Sequence, residues 1–397
     1  MSFLKKFVQL AVRIAVFPFV LVLYLVRRVL VVELVLPNVT LFGHLALEPE
    51  KILCNLALEE TLRNTSQKRL QIWSFGKART QVNKTLVKIW RRQVFSLPSM
   101  VVDAVHRASR WIPNFEIKVL QFDKLHENDH VLDLFESHLR FSLDEVSRGE
   151  KYLASIGIEP GEPYVCVIVR EVAWAPRITG PLSSGELRSR QFDDFIPAAL
   201  GLVQRGIPVI KLGAPGTTKT TGTSIIDYAN SDAKSEFLDI FLPSRARCVI
   251  STMSGPDAVA LAARVPVLYI DIAQYSLCFA GTKLVTWVPA QLRREASQTM
   301  SLGEVFESGA GRFLGKPAFD NAGITIVNSS AEQICEHALA FHDYVTSSTT
   351  IGKEELQDTY RKKFHSLLSA GAVAPLAPFN SRLSETFLRD YGESFLS

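Results

Sequence analysis

The sequence predicts an α/β protein: two Rossmann-like, doubly wound domains preceded by an N-terminal membrane-associating helix. Three observations carry this expectation. Apolar runs such as Tyr164–Val169 (YVCVIV), Ile207–Leu212, Cys248–Ser251 and Pro266–Asp271 alternate with helical patterns, as parallel strands joined by crossover helices do. The chain has 397 residues, 47% hydrophobic and 21% charged, enough to bury two cores and incompatible with wholesale disorder. A long apolar stretch opens the chain between basic residues.

That stretch, Ile14 to Val26, is shorter than the roughly 20 residues that cross a hydrocarbon core. Lys5, Lys6, Gln9, Arg13, Arg27 and Arg28 fall within an arc of roughly 140° on a helical wheel. This layout suits a helix lying in the membrane interface over residues 1–36, with Pro18 kinking it. A tilted span with snorkelling arginines is one alternative. A signal peptide is another, although no small-x-small cleavage site follows Val26.

Further on, residues 39–42 read as a first strand ending at Gly43-His44, and residues 45–63 as a helix. Residues 70–75 read as a strand, 84–94 as a basic amphipathic helix, 115–122 as a strand and 132–153 as one helix. In the second half, residues 192–205 form a helix ended by Gly206, and further helices cover residues 236–245 and 257–264. Domain limits follow: 37–157 for a first domain, 158–345 for a second, and 346–397 for a helical tail. Charge is divided unevenly. The whole chain carries +4, yet residues 61–110 hold eleven Lys/Arg and only Asp103. This basic segment points to an anionic surface such as lipid headgroups; nothing points to nucleic acid. Five scattered cysteines without a C-x-x-C pair read as free thiols in a reducing compartment.

Chemistry concentrates in the strand–turn–helix segment around Ser251, Thr252, Ser254, Gly255 and Pro256. Small hydroxyls and backbone N–H groups at a helix start suit a phosphate; capping by Ser254 is the plainer reading of the same residues. Arg170 follows its strand directly, Lys211 lies near the end of the next one, and Arg190 precedes a helix; converging cations at one sheet edge would neutralise a diphosphate. His44, placed after the first expected strand, is a candidate general base facing an interdomain cleft. Glu48, one turn on, would orient it or act as the base itself. Three literal motifs fail. The loop 213–220 has Thr218 where a phosphate-binding loop needs Gly before Lys219, and reads as a flexible loop that closes over a ligand. His126-Glu127-Asn128-Asp129-His130 matches H-E-x-x-H but carries poor helix formers between its histidines, and reads as an exposed loop. No D-x-D pair is present, so a metal-free diphosphate site is expected, with no cofactor.

These blocks, in this order, resemble a family of bacterial glycosyltransferases from surface-carbohydrate gene clusters. The likeness runs from about residue 40 to 345, through Gly43-His44-Leu45, Val169-Arg170, Arg190, residues 206–213, 226–230 and 237–247, Ser254-Gly255 and Pro266 onward. It implies a two-domain, GT-B-type hexosyltransferase at the cytoplasmic face of the bacterial inner membrane, with 37–157 as the acceptor-side domain, 158–345 as the nucleotide-sugar domain and the tail crossing back to the first; the missing D-x-D pair makes it metal-independent. The enzyme would move a sugar from a nucleotide-sugar to a glycan or lipid-linked acceptor in polysaccharide biosynthesis. It also implies donor binding by Arg170, Arg190, Lys211, Asp239, Ser251, Thr252, Ser254 and Gly255. In outline the chain is similar to fucosyltransferases whose strand-end Arg binds the donor pyrophosphate, but Val169 stands where such enzymes often have His. Two other readings stay open: a nucleotide-sugar epimerase or hydrolase on the same fold, and a non-catalytic scaffold for envelope assembly.

Overall fold

The computed structural model describes residues 3–62, 67–120, 128–171, 185–215, 217–294, 298–347, 354–370 and 379–397. The chain divides into two units: residues 1–125 with 138–140, and residues 126–137 with 141–397. The mixed α/β class with parallel sheets is as the sequence predicts.

In the first unit, helix α1 (Phe3–Val26) runs through Pro18 into strand β1 (Leu30–Val35). Helix α2 (Phe42–Leu62) and strand β2 (Lys68–Trp73) follow, then helices α3 (Lys84–Arg91) and α4 (Ser99–Ser109) and strand β3 (Lys118–Leu120). The three strands form one parallel sheet in the order β2-β1-β3. The first strand is therefore residues 30–35, not the expected 39–42, which run into the start of α2. LVVELV escapes a sequence reading because it continues the apolar run of α1, interrupted only by Arg27-Arg28. Its one charge, buried Glu33, lies 3.7 Å from Arg69 on β2 and 3.8 Å from Lys118 on β3, so both neighbouring strands offset it.

Helix α1 has two apolar faces. Val20 and Leu23 are buried with Leu34, Ile72, Val102 and Val105, and Val16 and Phe17 pack against the same cluster. Phe7, Leu10, Ile14, Val22 and Leu25, by contrast, are exposed, Leu25 at 73%. The helix is long and apolar enough to cross a membrane by length and composition, but one stripe of it forms core of the first unit.

The second unit opens with helix α5 (Leu143–Ser155), started by a reciprocal capping box between Ser142 and Glu145. That cap breaks the single helix expected over 132–153 and leaves a short 3-10 turn at Asp129–Asp133. Strand β4 (Val165–Ile168) leads to helix α6 (Ile196–Gln204), strand β5 (Val209–Leu212), strand β6 (Ile226–Asp227) and helix α7 (Leu238–Arg245). Gly206 ends the α6 segment as expected, at φ +77°. Strand β7 (Cys248–Ser251), helix α8 (Asp257–Ala262), strand β8 (Val267–Ile272) and strand β9 (Val285–Pro289) complete the main progression. A small antiparallel sheet is made by β10 (Gln291–Arg294), β11 (Gln298–Thr299) and, beyond α9 (Leu302–Glu307) and α10 (Lys316–Asn321), β12 (Ile324–Val327). Helices α11 (Ala331–Thr346) and α12 (Glu354–Ser369), strand β13 (Arg382–Leu383) and helix α13 (Glu385–Leu396) end the chain.

The large sheet is parallel throughout, in the order β13-β9-β8-β7-β4-β5-β6. Counted from β4, the six main strands follow the 3-2-1-4-5-6 order of a doubly wound sheet, and its switch point lies between β4 and β7. The described part of the tail, expected to cross back to the first domain, makes these contacts within the second unit. β13 pairs with β9, and the Trp287 indole donates to the Tyr360 hydroxyl at 2.8 Å. Burial of Tyr360, Phe364 and Leu383 accounts for this choice.

Gly149 on α5 faces the Phe241 ring of α7, and a β-carbon there would lie 2.2 Å from that ring. Helix propensity alone favours Ala at this position, but packing forbids it. Gly149→Ala is therefore expected to destabilise the second unit by about 1–3 kcal/mol, read as a lowered urea midpoint.

Candidate functional sites in the two units

At the switch point of the large sheet, the Arg170 backbone N–H donates to Thr252 Oγ1 at 3.0 Å, joining the ends of β4 and β7. The segment 185–190 runs beside this end. Arg170 and Ser189 form a parallel bridge, and the Arg190 N–H donates to the Arg170 carbonyl at 2.9 Å. This places Arg188 next to Arg170. Arg188 donates through Nη1 to the Met253 carbonyl at 3.1 Å, and Met253 holds a left-handed φ of +59°. Burial first, and then the neighbouring Arg170 charge, push the Arg188 guanidinium down to about 10. Burial also lowers Arg170. Arg170 Nε is buried without a hydrogen-bond partner among the described residues. Gly185 leaves room for the guanidinium, since a β-carbon there would meet Arg170 Nη2 at 2.4 Å. Two guanidinium groups held together in a half-buried site repel each other, and an anion between them relieves that cost.

The other expected donor-binding residues are occupied. Lys211 is 1% exposed; its ammonium lies 3.7 Å from Glu171 and 3.9 Å from Asp227, and donates to Thr217 Oγ1 and the Thr218 carbonyl. Burial lowers its pKa, and the two carboxylates act against that shift. Lys211 is a structural cation that pins the loop after β5, so the described part of that loop is tied down rather than free to close; Gly216 lies outside the described residues. Arg190 is neutralised by buried Asp271 and by Asp194, and also donates to the Ser329 carbonyl. Asp239 accepts from the Tyr228 hydroxyl at 3.0 Å and from Lys234 at 2.7 Å, locking a turn. Ser251 is fully buried and donates to Asp257 at 2.6 Å; the Ser254 N–H donates to the same carboxylate at 2.5 Å. Asp257 thus takes the place foreseen for phosphate at these two groups. Thr252 is buried and accepts the Arg170 N–H, which leaves Ser254, Gly255 and Pro256 as the partly exposed residues of the turn.

Sequence reasoning missed Arg188. The signal available in the sequence was Asp194, four residues after Arg190, which assigns Arg190 a carboxylate partner on its own segment.

The first unit holds a separate constellation. His44 sits in the first turn of α2 rather than directly after a strand. Its Nδ1 is 2.5 Å from Glu48 Oε1, and the other Glu48 oxygen accepts the Asn38 N–H at 2.7 Å. Glu48 is 1% exposed and the His44 side chain 30%. Both Glu48 oxygens are thereby engaged, and the contact at Nδ1 fixes the imidazole with Nε2 unbonded among the described residues. Pro49 removes the N–H that would bond the Leu45 carbonyl, and the Trp90 indole of α3 donates to that carbonyl at 2.9 Å instead. The described part of the H-E-x-x-H match, Asn128 to His130, leads into the 3-10 turn; His126 and Glu127 lie outside the described residues.

No family model matches the sequence, and no curated protein does. Among solved structures, the chain is similar to a glycosyl transferase family 9 protein from Veillonella parvula, at 11% identity and TM-score 0.44, covering 79% of this chain and 97% of that one. It is also similar to the ADP-heptose lps heptosyltransferase II of E. coli, at 11% identity and TM-score 0.39, over 65% of this chain and 90% of that one. A third likeness is to a Methanocaldococcus jannaschii UDP-GlcNAc 2-epimerase, at 12% identity and TM-score 0.25, over 86% and 74%.

Burial raises Asp257 from 3.8 to about 6, against the hydrogen bonds that favour its charged form. A carboxyl whose folded pKa lies above its unfolded value binds more protons when folded, so its contribution to stability falls as pH rises from about 4 to 6. The loss amounts to roughly 3 kcal/mol at most. Urea midpoints measured from pH 4 to 7 should show this fall in the wild type and a flatter profile in Asp257→Asn.

Proposed function

We propose that the chain is a membrane-associated glycosyltransferase that takes a sugar from a nucleoside-diphosphate donor. The observation that carries this reading is the Arg170–Arg188 pair at the switch point of a doubly wound sheet, where such sheets receive their ligands. The donor diphosphate sits on the two guanidinium groups beside the turn at Gly255. Charge develops on the departing diphosphate as the glycosidic bond breaks, so fixed cations act most strongly in the transition state. They neutralise the leaving group in place of a divalent metal. His44, held by Glu48, removes the proton of the acceptor hydroxyl through Nε2. The acceptor is a glycan or lipid-linked sugar of surface polysaccharide assembly, and the architecture is of the GT-B type.

Nucleoside diphosphates are expected to raise the melting temperature of the wild type by mass action and to leave Arg170→Ala unmoved. On a donor identified in that way, Arg170→Ala should lose about 2–4 kcal/mol of transition-state stabilisation, roughly 30- to 1,000-fold in kcat/KM. His44→Gln should lose about 100-fold or more in kcat, and added Mg2+ should change neither rate. Wild-type turnover by Arg170→Ala removes the reading; release of free sugar at the full rate without acceptor makes the protein a hydrolase instead.

The exposed stripe Phe7, Leu10, Ile14, Val22 and Leu25 enters the lipid interface of the cytoplasmic leaflet, with the basic α3 region toward anionic headgroups. Ile14→Asp with Leu25→Asp should abolish co-sedimentation with anionic vesicles while leaving the far-ultraviolet dichroism unchanged. Undiminished binding would place the membrane contact elsewhere.

A further inference from the structure

We propose that Glu50, Cys54 and His138 form a binding site for one divalent transition-metal ion of the zinc class. Glu50 and Cys54 stand four residues apart on α2 and so share a face; both are fully buried. His138 belongs to the short segment 138–140 of the same unit, and its side chain is partly exposed. Glu50 Oε1 lies 3.5 Å from Cys54 Sγ and 3.2 Å from His138 Nδ1, and Sγ lies 4.0 Å from Nδ1. All three ligand atoms fall within 4.8 Å of one another. A tetrahedral zinc ion with oxygen and nitrogen at about 2.0–2.1 Å and sulfur at about 2.3 Å holds its donors roughly 3.3–3.6 Å apart. The observed triangle is one face of such a tetrahedron, with only the sulfur–nitrogen edge needing to shorten. One oxygen, one imidazole nitrogen and one thiolate also form a donor set that suits zinc over magnesium or calcium.

The carboxylate is oriented independently of any ion, because Glu50 Oε2 accepts the His138 backbone N–H at 3.0 Å. This is the kind of outer contact that fixes metal ligands in place. Without metal, the thiol and the imidazole both turn their protons toward Oε1. On binding, the Cys54 thiol gives its proton to solvent and the imidazole carries its proton on Nε2 rather than Nδ1. The ion gains one oxygen, one nitrogen and one sulfur bond, with water in the fourth position, and one proton is released per ion. The site would clip residues 138–140 to α2, and it is independent of the reaction proposed above.

The test uses the 397-residue chain, stripped of metal and titrated with Co2+. One equivalent should bind with a thiolate-to-cobalt charge-transfer band, intense tetrahedral visible bands and release of one proton, and Zn2+ should displace it. Cys54→Ser should lose the charge-transfer band, whereas Cys335→Ser, which alters a thiol outside the cluster, should keep it. Should Cys54→Ser fail to fold, His138→Gln provides the second measurement, with Co2+ affinity expected to fall about 100-fold or more. The inference is overturned if the wild type shows no band, if the band survives in Cys54→Ser, or if His138→Gln binds Co2+ as the wild type does.

Discussion

A charge taken out of water must find a counter-charge, and at the carboxyl edge of the large sheet that requirement sorts the cations. Lys211 has Glu171 and Asp227, and Arg190 has Asp271 and Asp194. Arg170 reaches no carboxylate among the described residues and is held beside a second guanidinium. The sheet topology fixes where this happens, because the β4–β7 junction is the one place where successive crossovers diverge to opposite sides. Asp257 contributes from beneath. By accepting from Ser251 and the Ser254 N–H, it shapes the turn that Arg188 grips through the Met253 carbonyl.

In the first unit, helix α2 organises the chemistry. It carries His44 and Glu48 one turn apart and Glu50 and Cys54 one turn apart, with Pro49 between the two pairs. A proline inside a helix frees a carbonyl, and here the freed Leu45 oxygen becomes the anchor for Trp90. The break in the hydrogen-bond ladder is thereby turned into a tie between α2 and α3, which steadies the turn holding the His44–Glu48 pair.

The second unit was legible because its strands are buried on both faces and read as unbroken apolar runs; β4, β5, β7 and β8 fall where the periodicity puts them. The His44–Glu48 pairing was legible from spacing alone. Other features depended on contacts between residues far apart in sequence. That Arg190 and Lys211 are compensated is decided by Asp271, Glu171 and Asp227, none of which spacing assigns to a given cation. Ser251 and Ser254 look like phosphate ligands until the buried Asp257 is seen to claim them. β1 was hidden because hydrophobicity does not mark where a helix stops and a strand begins, and β13 is too short to show a period.

Helix α1 is not an appendage on a finished domain. Val20 and Leu23 complete the layer that covers Leu34, Ile72, Val102 and Val105, so deleting the helix would strip the sheet of part of its roof. Removing α1 would take away its exposed apolar stripe but uncover Leu34, Ile72, Val102 and Val105, so one apolar surface would replace another. An outward apolar stripe and a piece of the core are thus carried by the same two dozen residues.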